Sequence, residues 1–163
     1  MSRPKRRALA AVMLLLAGSG LLAAAGPAQA ADPVVPTMTN IRTGLNTGFD
    51  RVVLDLSSGP APSVSYQLVD ELLADASGEV VWLTGEFFIE VFTTPAAAHD
   101  ADGNPTFPGP RKFRTWNLRN VMAVAVTGDF EAQVTIGLGV RSRTAVKVFT
   151  LTAPNRVVID VAH

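Results

Sequence analysis

Two short segments, one near each end of the chain, repeat the same order of charged and aliphatic residues. Both read Asp/Asn-Arg-Val-Val-aliphatic-Asp, with Arg51 four residues before Asp55 and Arg156 four residues before Asp160. Residues four apart in a strand share one face and lie about 13 Å apart. If the two strands pair antiparallel, Arg51 faces Asp160 and Asp55 faces Arg156 in ordinary cross-strand ion pairs. If each segment lies in its own sheet, each presents a separate Arg–Asp patch that could bind a ligand.

A long irregular segment, residues 95–117, is the second place where binding chemistry is expected. It holds four prolines and a polar tip, and loops of this length in compact domains are usually functional or mobile. Aromatic side chains are a further signal, because tryptophan and tyrosine can stack on sugars, although tryptophan in a β-sandwich is more often part of the core. The candidate binding residues of the loop are His99, Asp100, Asp102 and Trp116, and the other aromatic candidates are Trp82 and Tyr66.

The candidate metal ligands in this sequence are the tip of this loop and the two histidines. The tip, Asp100-Ala101-Asp102-Gly103-Asn104, resembles the first half of a calcium-binding loop but lacks its bidentate acid and full spacing. The same residue types form ordinary surface turns. His99 and His163 are far apart in the sequence, whereas the histidines of a zinc site normally cluster at short spacing. We therefore expect no metal site and no cofactor.

The usual sequence signatures of enzymes are missing from this chain. It has no G-x-S-x-G or H-E-x-x-H motif, no P-loop and no dinucleotide-binding glycine pattern. We expect no catalytic residues and a protein that is not an enzyme. A hydrolase of glycans or peptides is the alternative, because its carboxylate pair comes from separate strands and leaves no spacing signature. The candidate acids for such a pair are Asp55, Glu86, Glu90, Asp129 and Asp160.

The first 30 residues predict a secretory signal peptide. Four basic residues within positions 1–7 precede an apolar run over 8–22, and the segment ends in Ala28-Gln29-Ala30. Cleavage near Ala30 predicts a secreted or wall-associated protein. No second apolar segment is long enough to cross a bilayer, so we expect no membrane span in the mature protein. The absence of cysteine excludes disulfides, thiolate metal sites and a lipid anchor on a cleavage-site cysteine.

Removal of this segment changes the charge of the protein. The whole chain has 14 basic and 14 acidic residues, but four of the basic ones precede residue 8, so the mature part carries 10 basic against 14 acidic residues. A net charge of −4 argues against nucleic acid as a partner and gives no attraction to anionic lipid. The remaining 133 residues suit one domain with a packed core.

Short stretches rich in Val, Ile, Phe and Thr, separated by Gly, Pro, Asn and Asp, predict an all-β domain, a sandwich or a barrel. The domain is predicted over 40–163, after an extended leader at 31–39 that lies outside the core. Residues 69–76 are expected to form at most one short helical turn. The predicted strands are 40–43, 51–57, 64–69, 80–83, 87–93, 121–127, 132–138, 146–152 and 156–161.

The segments at 48–60 and 148–161 resemble the two ends of an AMIN domain, and more closely those of the AMIN-like domains of secreted and lipid-anchored actinobacterial proteins. Three motifs between them are similar as well: Ala98-His99-Asp100, Phe107 before Gly109-Pro110-Arg111, and Gly128-Asp129-Phe130-Glu131 followed by Ile136-Gly137-Leu138-Gly139. The resemblance covers about residues 40–161. It implies a β-sandwich of two related, mainly antiparallel sheets.

The resemblance also implies a function. AMIN domains are targeting modules of cell-wall amidases and secretins, where they bind peptidoglycan or localise the protein. A non-catalytic, exported module that binds the cell envelope is therefore expected here, with peptidoglycan or an envelope protein as its partner. A protein-interaction module that uses an open sheet edge or the long loop is a further alternative.

Overall fold

Nine strands form from the alternating aliphatic segments, and they account for most of residues 34–163, the part of the chain that the computed structural model describes. The predicted signal peptide and residues 31–33 of the predicted leader lie outside this part. The strands are β1 (Met38–Asn46), β2 (Phe49–Leu56), β3 (Ser63–Val69), β4 (Phe87–Thr94), β5 (Lys112–Arg114), β6 (Val121–Phe130), β7 (Gln133–Val140), β8 (Val146–Leu151) and β9 (Arg156–Ala162). Residues 34–163 contain no helix, so the all-β prediction is confirmed.

The strands form two antiparallel sheets. One has four strands in the order β1-β2-β9-β8, and the other has five in the order β3-β4-β7-β6-β5. Alternate residues of each strand point inward, as Val52, Leu54 and Leu56 do from β2 and Ile136 and Leu138 do from β7, and all of these are buried. The two inner faces enclose one hydrophobic core, and the predicted β-sandwich is confirmed. No helix in the described residues is long and apolar enough to cross a membrane.

The predicted strand at 80–83 is wrong. Only Val80 pairs there, in a single bridge with Leu73, and the N–H of Val81 donates to the carbonyl of Leu72 at 2.8 Å. The backbone–backbone hydrogen bonds of this segment therefore stay within the long hairpin loop that joins β3 to β4, residues 70–86, which we call the β3–β4 loop. Val-Val-Trp-Leu has the composition of a strand, but its position over a sheet face leaves it no neighbouring strand.

The β3–β4 loop packs on the outer face of the five-stranded sheet. Leu72 is fully buried there, and a Cβ at Gly137 would lie 2.6 Å from its side chain. A Cβ at Gly139 would lie 2.1 Å from the carbonyl oxygen of Thr84. These glycines of β7 thus permit a close approach of backbone and side chain that no other residue allows.

The predicted leader and the long loop both require correction, because they pack against each other. β1 begins at Met38, which is completely buried, so the end of the 31–39 leader belongs to the core. The N–H of Met38 donates to the carbonyl of Ala97 at 2.7 Å. The loop at 95–117 also contributes buried Ala98 and Phe107 to the core, and it contains the unpredicted strand β5.

Candidate functional site

The two repeated Arg-Val-Val segments lie in one sheet as direct neighbours. They form β2 and β9, which pair antiparallel with Arg51 opposite Asp160 and Asp55 opposite Arg156. Of the two geometries that the sequence leaves open, the cross-strand pairing is therefore the observed one. The segments do not form two separate patches on two sheets.

The first of the two expected ion pairs is present. Nε and Nη2 of Arg51 donate to the two carboxylate oxygens of Asp160 at 2.7 and 2.8 Å. The guanidinium also lies 5.0 Å from the ring centre of Phe49 and 5.9 Å from that of Phe149, within cation–π range. The hydrogen bonds to Asp160 raise the pKa of Arg51 above its usual value. The two hydrogen bonds to Asp160 and the two aromatic contacts hold the Arg51 side chain on the face of the sheet.

The second expected ion pair is replaced by another. Asp55 lies opposite Arg156, yet both of its oxygens accept hydrogen bonds from Arg42 of β1, each at 2.6 Å. These bonds lower the pKa of Asp55 below its ordinary range. Nε of Arg156 instead donates to the carbonyl of Pro154 at 3.4 Å. Because Arg51, Asp55 and Asp160 already have protein partners within the sheet, the geometry favours a structural role for the repeated motif.

A pocket of about 320 Å³ lies where β6 ends, and three distant segments meet there. They are the turn of the β3–β4 loop at 74–76, the long loop from His99 to Arg111, and the end of β6 at 127–130. We call it the β6 pocket. Its polar side chains are those of Asp75, His99, Arg111, Thr127 and Asp129.

Asp129 is the buried centre of the β6 pocket, with only 8% of its side chain exposed. One carboxylate oxygen accepts the N–H of Ala98 at 2.9 Å, and the other lies 2.8 Å from Nδ1 of His99. A carboxylate can only accept, so Nδ1 carries the proton and Nε2 of the neutral ring is an acceptor. A guanidinium nitrogen of Arg111 lies 3.9 Å from Asp129, beyond hydrogen-bond distance.

Asp75 lines the β6 pocket from the β3–β4 loop, and the sequence analysis did not predict it. Its carboxylate accepts a hydrogen bond from the hydroxyl of Thr135 at 2.8 Å. It approaches β6 so closely that a Cβ at Gly128 would overlap it at 1.5 Å. No spacing in the sequence connects Asp75 with Asp129. The one available signal is Gly128 directly before Asp129, because glycine within a strand often marks a close approach.

The tip of the long loop is a turn that its own side chains close. A carboxylate oxygen of Asp100 accepts the N–H groups of Asp102 and Asn104 at 3.0 and 2.8 Å. The backbone hydrogen bond from Asn104 is the main cause that lowers the pKa of Asp100. This is the ordinary turn chemistry of aspartate and asparagine. Within residues 34–163, no three His, Cys, Asp or Glu side chains are grouped so as to hold a metal ion.

The two tryptophans are not in the core, contrary to the usual location of tryptophan in β-sandwiches. Trp82 and Trp116 are 82% and 80% exposed. Trp82 lines a groove with residues of the short edge strand β5, and Trp116 follows that strand by two residues. Nζ of Lys112 donates to the carbonyl of Trp82 at 3.1 Å, and the guanidinium of Arg114 lies 4.4 Å from the ring centre of Trp116. Trp82, Lys112 and Arg114 line a groove of about 260 Å³, which together with Trp116 we call the tryptophan groove.

The remaining candidates are dispersed. Tyr66 is 42% exposed on β3, at the opposite edge of the five-stranded sheet from β5. Of the five acids proposed for a hydrolase, Asp129 alone lines the β6 pocket. Glu90 accepts a hydrogen bond from Gln67, Glu86 is exposed, and Asp55 and Asp160 are engaged by arginines. The sequence candidates therefore divide between the sheet face, the β6 pocket and the tryptophan groove.

Comparison with known proteins identifies one family. A family model described as the AMIN-like domain matches residues 36–163, almost all of the described part of the chain. No curated protein and no solved structure matches the chain.

Proposed function

The chain belongs to the AMIN-like domain family, and from that premise we propose that it is a non-catalytic binding module of the cell envelope that recognises peptidoglycan. Membership of the family supports an envelope-related role. Export through the predicted signal peptide at 1–30 is part of the proposal. The observation that carries the proposal is the pair of exposed tryptophans beside β5.

Exposed tryptophans of this kind favour a ligand with apolar faces and polar edges. A tryptophan side chain has a large apolar surface, and leaving two of them in water forgoes several kcal/mol that burial would supply, about 1.5–3 kcal/mol each by analogy with other large apolar side chains. Sugar rings present C–H groups that stack on an indole. Lys112 contacts Trp82 and Arg114 contacts Trp116, and both can donate hydrogen bonds to hydroxyl and carboxylate oxygens of a glycan chain with attached peptides.

A sedimentation assay with insoluble peptidoglycan tests the proposal. We expect the purified protein to pellet with the polymer, and Trp116→Ala and Trp82→Ala each to weaken this binding by about three- to tenfold, since an aromatic stacking contact contributes about 0.5–1.5 kcal/mol. Leu45→Ala is the matched control, because Leu45 is also an exposed apolar residue but lies outside the groove. Protein that stays in the supernatant, or equal binding by all variants, contradicts the proposal.

The hydrolase alternative has one observation in its favour, which is that Asp75 and Asp129 share the β6 pocket beside exposed Phe130. Both oxygens of Asp129 already accept one hydrogen bond each, however, and only 8% of its side chain is exposed, so this carboxylate is poorly placed to take a proton from a substrate. Binding therefore has the better support. The supernatants of the sedimentation assay distinguish the two, because a hydrolase releases soluble sugar or peptide fragments with time and a binding module releases none.

A further inference from the structure

We propose that the β6 pocket binds a small zwitterion, a ligand with one carboxylate and one ammonium group, such as an amino acid or the end of a short peptide. This site is separate from the tryptophan groove and goes beyond the proposed recognition of a polymer. It rests on three groups with complementary chemistry, Arg111, His99 and Asp75, that distant segments bring into one cavity.

Arg111 supplies the contact for a carboxylate. Its side chain is partly exposed, and its only charged partner among the described residues is Asp129 at 3.9 Å, too far for a hydrogen bond. The N–H fork of the guanidinium is thus free to make two parallel hydrogen bonds to a ligand carboxylate, the geometry that arginine forms best. Its main-chain carbonyl accepts the N–H of Val126 at 2.7 Å, which positions Arg111 beside β6.

His99 supplies an acceptor at the middle of the pocket. Asp129 orients the ring through Nδ1, so Nε2 of the neutral ring is free to accept a hydrogen bond from a ligand N–H. Asp129 itself is a positioning residue, because the N–H of Ala98 and the ring of His99 occupy its two oxygens. The imidazole is therefore held in one tautomer before any ligand arrives.

Asp75 and Phe130 supply the contacts for an ammonium group. Only one oxygen of Asp75 accepts a hydrogen bond from the described residues, the bond from Thr135, which leaves lone pairs for an N–H donor. Phe130 is 69% exposed and lines the same cavity, where the face of its ring can attract a cation. The carboxylate and the aromatic ring together favour a positive group on this side of the pocket.

The size of the β6 pocket points to a small ligand. Its volume of about 320 Å³ lies at the lower end of the range of small-molecule sites, about 300–1,000 Å³. One or two amino acids fit this range better than a polymer segment does. Opposite charges on the ligand match Arg111 and Asp75, whereas an uncharged sugar would offer an opposite charge to neither of them.

The test is a titration of the purified protein, with isotope-labelled backbone amides followed by NMR. The probes are alanyl-alanine in its L,L and D,D forms, N-acetyl-alanyl-alanine, which has no ammonium group, and alanyl-alanine amide, which has no carboxylate. We expect at least one dipeptide to shift the amides of the pocket segments and each blocked form to bind at least about tenfold more weakly. Equal binding of free and blocked dipeptides, or no shifts with either stereoisomer, overturns the proposal.

Variants assign the two charges to their residues. Arg111→Gln should weaken binding of the free dipeptide at least about tenfold but leave binding of the amide form, which has no carboxylate, unchanged. Asp75→Asn should likewise weaken binding of the free dipeptide but leave binding of the N-acetyl form, which has no ammonium group, unchanged. Arg111→Lys is a second variant that keeps the charge and should restore part of the affinity. Arg141→Gln is the matched control, because Arg141 is exposed and lies outside the pocket. A melting curve for each variant establishes that it is folded.

Competition separates the two sources of such a zwitterion. If the ligand is a peptide of the cell wall, excess dipeptide removes the contribution of the pocket and lowers the fraction of protein that pellets with insoluble peptidoglycan. If the ligand is a free amino acid or peptide, this fraction does not change. Trp116→Ala keeps the failures of the two proposals apart. This variant should bind the wall about three- to tenfold more weakly and retain dipeptide binding, whereas Arg111→Gln should weaken dipeptide binding at least about tenfold.

Discussion

At the scale of single residues, the choice of partner by Asp55 shows what strand register does and does not determine. Register places Arg156 opposite Asp55, but Arg42 on the other neighbouring strand reaches both carboxylate oxygens at 2.6 Å. Two parallel charge-assisted hydrogen bonds are stronger than a single Coulomb contact across a strand pair. Arg156 still contributes at a distance to the lowered pKa of Asp55.

We predict that the Asp55–Arg42 pair stabilises the protein at neutral pH and not in acid. The folded pKa of Asp55 lies below its usual value of 3.8, so the stabilisation is complete above pH 3.8 and is lost as the pH falls through the lower folded pKa. Both side chains are partly exposed, which limits the effect to about 1 kcal/mol. Asp55→Asn should therefore have a lower free energy of unfolding than the parent at pH 7, with the difference shrinking below about pH 4.

Urea denaturation across this pH range measures the difference. Asp70→Asn is the control, because the side chain of Asp70 is 98% exposed and has only a 3.3 Å contact with Arg143. It should track the parent at every pH. A difference for Asp55→Asn that stays constant into acid contradicts the assignment.

At the scale of elements, β7 and the β3–β4 loop pack against each other. The alternation of β7 places Val134, Ile136 and Leu138 on the core face. The opposite face carries Gly137 and Gly139, and the sequence pattern alone leaves it in solvent. The structure covers it with Leu72 and the backbone around Thr84. Each glycine is thus a contact surface for a segment that lies more than 50 residues away in the sequence.

We predict that Gly139→Ala destabilises the protein by about 1–3 kcal/mol or more, because the added methyl group would meet backbone atoms of Thr84 that cannot move without shifting the β3–β4 loop. Gly44→Ala is the matched control. Gly44 lies in strand β1, and nothing is within 4 Å of its Cβ position. This change should be neutral or should stabilise by about 0.5–1 kcal/mol. Equal melting temperatures for the two variants would show that the β3–β4 loop does not pack on β7 in solution.

At the scale of the whole molecule, the buried Asp50 links the two sheets. It lies on β2 of the four-stranded sheet, and its carboxylate accepts the N–H groups of Arg119, Asn120 and Val121 at the start of β6 in the other sheet, at 3.1, 2.5 and 2.8 Å. The equivalent residue of the repeated motif is Asn155, which is also buried and donates to the carbonyls of Ser57 and Gly59. The polar residue that opens each repeat therefore anchors a loop.

We predict that Asp50→Ala lowers the free energy of unfolding by several kcal/mol, since it leaves buried N–H groups without an acceptor at a cost of about 1–3 kcal/mol each. Asp70→Ala removes the same carboxylate from an exposed position and should change stability by less than about 0.5 kcal/mol. Chemical denaturation of both variants provides the comparison. A small effect of Asp50→Ala would mean that water or a rearranged loop satisfies these N–H groups.

The candidate site could be predicted only in part from the sequence. His99 lies in the β6 pocket and Trp116 in the tryptophan groove, but the sequence did not reveal that Asp75 lines the same pocket as His99 or that Arg114 lies over the ring of Trp116. Side chains in one pocket come from segments whose separation along the chain carries no period. The exposure of Trp82 was also unpredictable, because an aromatic residue in a Val-rich segment has the same composition whether it faces the core or solvent.

The sequence by itself determined the all-β class, the inward faces of β2, β4 and β7, and the family, because strand alternation and turn residues act within a few neighbouring positions. The tertiary structure alone decided that Arg51 pairs with Asp160 while Asp55 turns to Arg42, and that Asp75, His99 and Arg111 share one pocket. These outcomes depend on which distant segments pack together. That packing is set by shape and hydrogen bonding over the whole fold, which no local pattern encodes.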